Sequence, residues 1–352
     1  MRLLFSLILM TFLVSFDLND SAKQYKFPDL LHFPEMPVNE NNIPTYAGVE
    51  LGRYLFYDPI LSQNRKVSCA SCHKQKHAFS DAPNQFSLGI NENRSKRNTL
   101  PLFNLAWYER LFWDGRAVSL EEQVFEPVRN HLEMNLDWSQ AEKRINQSSF
   151  YRKMFRKAFG NNLIDSILIS KAIAQFERTL ISNNSRYDKA LRGEIYLTED
   201  EFAGFTLAND QSRASCIQCH TTDSDALGTI GSFSNNGLDS FNTYTKYKDK
   251  GLGGLSKISE QIGLFKIPSL RNVSVTGPYM HDGRFETLEE VIDFYSDGLH
   301  LSPNVDSKLI HARKGGAKLN SQEKRQLLAF LNSLTDSVFI TNKAYSNPFS
   351  KN

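Results

Sequence analysis

The sequence predicts a mostly α-helical protein of two domains. Three observations support this: apolar residues recur with a helical period wherever the chain is periodic, no alternating run is long enough to build a sheet, and one five-residue cysteine-histidine unit occurs twice, at Cys69-Ala70-Ser71-Cys72-His73 and Cys216-Ile217-Gln218-Cys219-His220. The 352 residues, 40% of them apolar, are enough for two ordinary cores. Forty-one basic against 39 acidic residues leave a net charge of +2. That balance gives no electrostatic footprint for nucleic acid or for an anionic membrane surface.

The chain begins with Arg2 ahead of an almost unbroken apolar stretch, residues 3–16, and turns polar at Asp17-Leu18-Asn19-Asp20-Ser21. This is the order of a signal peptide, assigned to residues 1–21, with Ser21-Ala22 as the candidate cleavage point. The stretch is shorter than the ~20 apolar residues of a spanning helix, so an exported, periplasmic protein without stable membrane insertion is expected.

In an oxidising compartment four cysteines first suggest two disulfides. The spacing points elsewhere, because every cysteine falls in a C-x-x-C-H unit. Two thiols three positions apart in a helical turn can form thioethers to the two vinyl groups of one porphyrin, while the adjacent imidazole ligates the iron. A zinc site or a redox C-x-x-C would leave His73 and His220 unexplained. Two covalently bound haem c groups, on Cys69, Cys72, His73 and on Cys216, Cys219, His220, account for all six residues.

Taken in order, residues 167–181 read as a helix with mixed faces, and Thr198-Glu199-Asp200-Glu201 as a capping box opening a helix toward the second unit. Thr287 begins another, on which Leu288, Val291, Ile292 and Tyr295 recur at i, i+3, i+4 and i+7, so Tyr295 points inward. Asn320-Ser321-Gln322-Glu323 opens the last helix, through Leu334. The Gly- and Asn-rich stretches 229–237 and 248–255 read as loops. The boundary falls past Arg192-Gly193, dividing the chain into residues 22–195 and 196–352, two cytochrome c-like haem domains.

Several phrases, in order, resemble the bacterial di-haem cytochrome c peroxidase and MauG family from about residue 39 to about residue 336. They are Leu51-Gly52-Arg53-Tyr54-Leu55-Phe56-Tyr57-Asp58, Phe112-Trp113-Asp114-Gly115-Arg116, Glu133-Met134, Pro268-Ser269-Leu270-Arg271-Asn272, Pro278-Tyr279-Met280-His281-Asp282-Gly283 and Thr287-Leu288-Glu289-Glu290. The resemblance implies that the haem on His73 reacts with peroxide, that the haem on His220 is a six-coordinate relay, and that Trp113 lies between them. Glu133 and Gln123 carry over as catalytic residues above the first iron, although the residues alone would leave Glu133 one of several glutamates in an acidic stretch. Asn98, with the backbone carbonyls of Thr276 and Pro278, would hold a calcium ion.

Family members that need reductive activation carry a histidine after a Ser-Leu-Gly phrase, closing the first haem. Here Ser87-Leu88-Gly89 is followed by Ile90, which cannot ligate iron, so an open first site is expected. His131 is the other candidate to close it, and His77 is read as a surface or propionate-side residue. At the second haem Tyr295 stands where di-haem peroxidases carry an axial methionine, while Met280 is read as packing and His281 as a neighbour of that haem. A phenolate is hard and anionic and favours oxidised iron, whereas a methionine sulfur favours the reduced form.

Three functions follow from the resemblance. The first is a peroxidase that reduces hydrogen peroxide with electrons from a small cytochrome c or cupredoxin. The second is a MauG-like oxidase that removes electrons from tyrosine or tryptophan residues of a partner protein, and the third a non-enzymatic electron carrier.

Overall fold

Side-chain caps mark where the helices begin. The Thr198 hydroxyl accepts from the Glu201 N–H at 3.2 Å while the Glu201 carboxylate accepts from the Thr198 N–H at 2.8 Å, and the helix runs Glu199–Asn209. The same reciprocal pairing opens Leu288–Asp297 at Thr287 and Ser321–Ser333 at Asn320. The periodic stretch 167–181 forms the helix Ser166–Arg178, capped by Asp165. The computed structural model describes residues 23–30, 33–160, 163–220 and 232–350, so the segment read as a signal peptide lies outside the described residues. Among those described, sheet is confined to one antiparallel pair of two-residue strands, Phe233–Ser234 and Phe265–Lys266, and the fold is mostly α as expected. No described helix is long and apolar enough to cross a membrane.

The two stretches read as loops are more ordered than that. Residues 248–255 contribute to a short helix, Leu252–Ser256. Asp249 is the reason. Its carboxylate accepts from the Gly251 N–H at 3.0 Å and is gripped by two nitrogens of Arg97, each at 2.7 Å, which fixes the chain ahead of the helix despite its glycines. The described part of 229–237 contains the strand Phe233–Ser234.

The core forms separate clusters. One gathers Leu51, Leu55, Ile145, Phe155, Ile169 and Ile173, and another Ala208, Ile217, Leu288, Ile292, Leu327 and Phe330. In each, two helices touch backbone to backbone at a glycine. A Cβ on Gly52 would lie 1.9 Å from the Ala172 carbonyl oxygen, and one on Gly204 would lie 1.9 Å from that of Gln326. Only a residue without a side chain allows helices so close, and the larger apolar residues around each contact then interlock.

A third cluster joins the ends of the chain. Phe339 and Tyr345 pack against Phe56, Phe79 and Phe103 of the first half. Polar contacts reinforce the closure: Arg53 donates to the carbonyls of Ser346 and Lys343, Tyr57 to that of Tyr345, and Gln75 to those of Phe339 and Asn342.

Candidate functional site

Each cysteine-histidine unit is a single turn that aims its side chains at one cavity. Cys69–Cys72 is an α turn with Ser68 at its N-cap, and Cys216–Gln218 is a tighter one; in both, the histidine N–H bonds back to the carbonyl of the first cysteine at 2.9 Å. None of the four cysteines is in a disulfide. Cys69, Cys72 and His73 line a cavity of about 670 Å³, and Cys216, Cys219 and His220 one of about 210 Å³.

The histidines share one arrangement. His73 Nδ1 lies 2.7 Å from the Phe79 carbonyl, and His220 Nδ1 lies 2.7 Å from that of Pro268. A carbonyl only accepts, so Nδ1 carries the proton in both rings and Nε2 keeps its lone pair. Burial lowers both imidazole pKa values, that of His220 to about 4, so the rings are neutral. A neutral imidazole with a bare Nε2, beside two thiols in the same turn and a largely apolar cavity, fits a porphyrin attached by thioethers and ligated from one side.

Glu133 and Gln123 both line the first cavity. A turn beginning at Asn130 positions the carboxyl: the Glu133 N–H donates to the Asn130 carbonyl at 2.9 Å, and Asn130 Nδ2 donates to Glu133 Oε1 at 2.7 Å. Burial raises the Glu133 pKa, against the opposing effects of Arg116 and of the Asn130 hydrogen bond. Gln123 ends the short helix Leu120–Gln123. Ile90 is 1% exposed and is absent from the lining of the cavity, its N–H donating to the Glu133 carbonyl at 2.8 Å. Gly89 does line it, packed so tightly on the next strand of chain that a Cβ would come within 2.0 Å of the Leu132 carbonyl oxygen. His131 is exposed at the cavity edge, and His77 lines neither cavity.

In the second cavity Tyr295, Met280, His281 and Asn236 come together. The Asn236 amide nitrogen donates to the Tyr295 hydroxyl at 3.2 Å and lies 3.4 Å from the Met280 sulfur, so the two side chains converge on one group. Burial raises the Tyr295 pKa to about 12. His281 stacks on Phe265 at 3.6 Å and meets the edge of Trp113 at 6.4 Å.

Trp113, Lys266, Pro268 and Ser269 line both cavities and form the wall between them. The Trp113 indole donates to the Asn98 carbonyl at 2.8 Å, and the Trp113 carbonyl accepts from the Lys266 N–H at 2.8 Å. The Asn98 N–H donates to the His281 carbonyl at 2.8 Å, which ties it to the segment carrying Thr276 and Pro278. That trio offers oxygens but no carboxylate. Among the described residues, no group of three or more His, Cys, Asp and Glu side chains could hold a metal ion.

Three side chains of the site escape sequence reasoning. Asn236 is one. Glu177 is another, 3% exposed on the wall of the first cavity, with an Oε2 that has no hydrogen-bond partner and a pKa pushed by burial to about 8. The third is Lys266, 6% exposed. A signal existed for the last, a charge set between Leu264-Phe265 and Ile267-Pro268.

A family model described as di-haem cytochrome c peroxidase matches residues 46–195. The chain is 34% identical over 317 residues to the methylamine utilization protein MauG of Methylophilus methylotrophus, covering 89% of this chain and 88% of that protein. It is 33% identical over 288 residues to the cytochrome c551 peroxidase of Nitrosomonas europaea, covering 81% and 79%. Among solved structures, a MauG-like protein associated with microbial copper homeostasis matches with a TM-score of 0.82 at 33% identity, covering 94% of this chain and all of that one. The diheme peroxidase BthA from Burkholderia thailandensis shares the fold, with a TM-score of 0.72 at 22% identity, covering 87% of this chain and 91% of that one.

Proposed function

The chain belongs to the di-haem cytochrome c peroxidase and MauG family of oxidoreductases, and we propose that it reduces hydrogen peroxide with electrons taken from a small redox protein, a cytochrome c or a cupredoxin. In this reading the protein is exported to the periplasm, with one haem c in each of the domains 22–195 and 196–352. The observation that carries it is a half-buried carboxyl, Glu133, on the wall of the same cavity as the Cys69–His73 unit. When bound, the haem supplies the iron at which the peroxide O–O bond is broken. Glu133 takes the proton from one peroxide oxygen and returns it to the other, so that hydrogen peroxide, two protons and two electrons give two waters. Asn130 fixes the carboxylate oxygen for that transfer, and Gln123 orients the peroxide.

Trp113 would carry electrons from the second site to the first, a role supported by its position in the wall shared by the cavities. Tyr295 would be the sixth ligand at the second site, a role supported by its inward position and its hydrogen bond from Asn236. A calcium ion held by Asn98 with the carbonyls of Thr276 and Pro278 would brace the two sites, and the resemblance supports it.

A second reading is favoured by Ile90 and Tyr295. With Ile90 buried beside Glu133, and Ser87 and Gly89 the residues of this phrase on the cavity wall, the phrase offers no ring to close the first site. A tyrosinate at the second site suits the holding of oxidising equivalents. Both features fit a MauG-like oxidase acting on tyrosine or tryptophan residues of a partner protein.

The test is to mix the oxidised holoprotein with hydrogen peroxide and excess reduced small cytochrome c. Two cytochromes oxidised per peroxide, with no prior reduction of the enzyme, is the expected result. Peroxide left unconsumed overturns the proposal. Peroxide consumed while the cytochrome stays reduced and aromatic residues of a partner are oxidised selects the second reading.

A further inference from the structure

Lys266 is a buried lysine in the wall between the two cavities, and it lines both. Its backbone is fixed by strand pairing with Phe233 and by its N–H bond to the Trp113 carbonyl. The ammonium lies 3.9 Å from the centroid of the Tyr108 ring, another residue lining the first cavity. Among the described residues no carboxylate pairs with it, and burial alone pushes its pKa down to about 7. An unpaired ammonium is costly to bury, and a face of an aromatic ring compensates only part of that cost.

Among the described residues, carboxylates do line the first cavity, but none pairs with Lys266, Glu177 with its unpartnered Oε2 included. Asp114 and Asp249 line the first cavity and both pair with Arg97, at 2.7 Å. Glu133 is bonded to Asn130. What would enter the two cavities, on the reading given under Proposed function, is a pair of porphyrins, each bearing two propionate carboxylates. Among the described residues only Trp113, Pro268 and Ser269 share the wall with Lys266, and none of them has a positive charge to offer.

We propose that Lys266 is the anion site shared by the two haems, its ammonium seating a propionate from each and so acting as one positive charge common to both redox centres. A fixed positive charge favours the reduced, less positive form of a nearby iron. Because the charge is common, both irons respond to its removal. The same segment also bonds the second haem's histidine, through the Pro268 carbonyl, so a change at Lys266 lies two residues from the support of that ring.

The proposal rests on both haems being present, and haem staining of a denaturing gel checks that separately. If the wild-type protein binds no covalent haem, the functional reading fails, and this inference fails with it. With both haems attached, the test is spectroelectrochemical titration of wild type, Lys266→Met and Lys266→Arg, together with resonance Raman spectra of the propionate modes. In Lys266→Met the ratio of reduced to oxidised haem at a fixed potential should fall about tenfold at both sites, ~59 mV for a one-electron couple. The propionate modes should shift, and Lys266→Arg should restore most of both effects. Lys266→Gln serves the same purpose if the methionine variant does not fold. Unmoved potentials, or a change at only one haem, overturn the proposal. So does a wild-type potential that depends on added phosphate, since the site would then hold a free anion.

Discussion

Two carboxyls on the wall of the first cavity are raised by burial, and their surroundings suit them to different ends. Glu133 has an amide donor on one oxygen and an arginine nearby, a setting in which a proton can be both taken and released. In Glu133→Gln haem content should be unchanged, while the reaction of the oxidised protein with peroxide, followed by stopped flow, should slow by about 100-fold or more. Glu177 has an oxygen with no partner, and its pKa stands at about 8 against an ordinary 4.5. Between those values the folded chain binds more protons at this site than the unfolded chain, so stability is lost as pH rises from about 4.5 to about 8. Glu177→Gln cannot ionise and should flatten that loss, by roughly 1.4 kcal/mol per pH unit at most, in denaturant titrations run across the window. Nothing local in the sequence separates Glu133 from its acidic neighbours. The structure does, by giving the others structural work: Glu121 accepts from two guanidinium nitrogens of Arg178, Glu122 caps the Val118 N–H, and Glu126 pairs with Arg129.

At the scale of elements, the legible features were those written in adjacent residues. The capping boxes at Thr198, Thr287 and Asn320 each need only a four-residue phrase, and each opens its helix where the phrase stands. The helix Leu252–Ser256 was not legible, because the salt bridge from Arg97 that fixes its approach comes from far along the chain. Close helix contacts are equally nonlocal, since a glycine in a helical stretch first reads as a weak point. Gly204 faces the Gln326 carbonyl at a distance no methyl group can share. Gly204→Val should therefore force the Glu199–Asn209 and Ser321–Ser333 helices apart and cost roughly 1–3 kcal/mol or more, read from urea unfolding followed by haem absorbance.

For the whole molecule, the two C-x-x-C-H units announce two haem sites, but their separation by a single wall of side chains emerges only on folding. Trp113 and Lys266 come from opposite halves of the sequence and meet through one backbone hydrogen bond. Trp113→Phe should leave both haems attached but slow electron exchange between them, measured after flash reduction of one site. The closure of the chain ends carries a different consequence. Phe339 and Tyr345 pack in one cluster with Phe79, and Gln75 is bonded to the same segment, so the loop that follows the first cysteine pair is roofed by residues far along the chain. Cys69 and Cys72 therefore stand far ahead, in chain order, of the residues that roof the loop after them. The surroundings of the first cysteine pair are thus complete only once a segment far along the chain has docked on them.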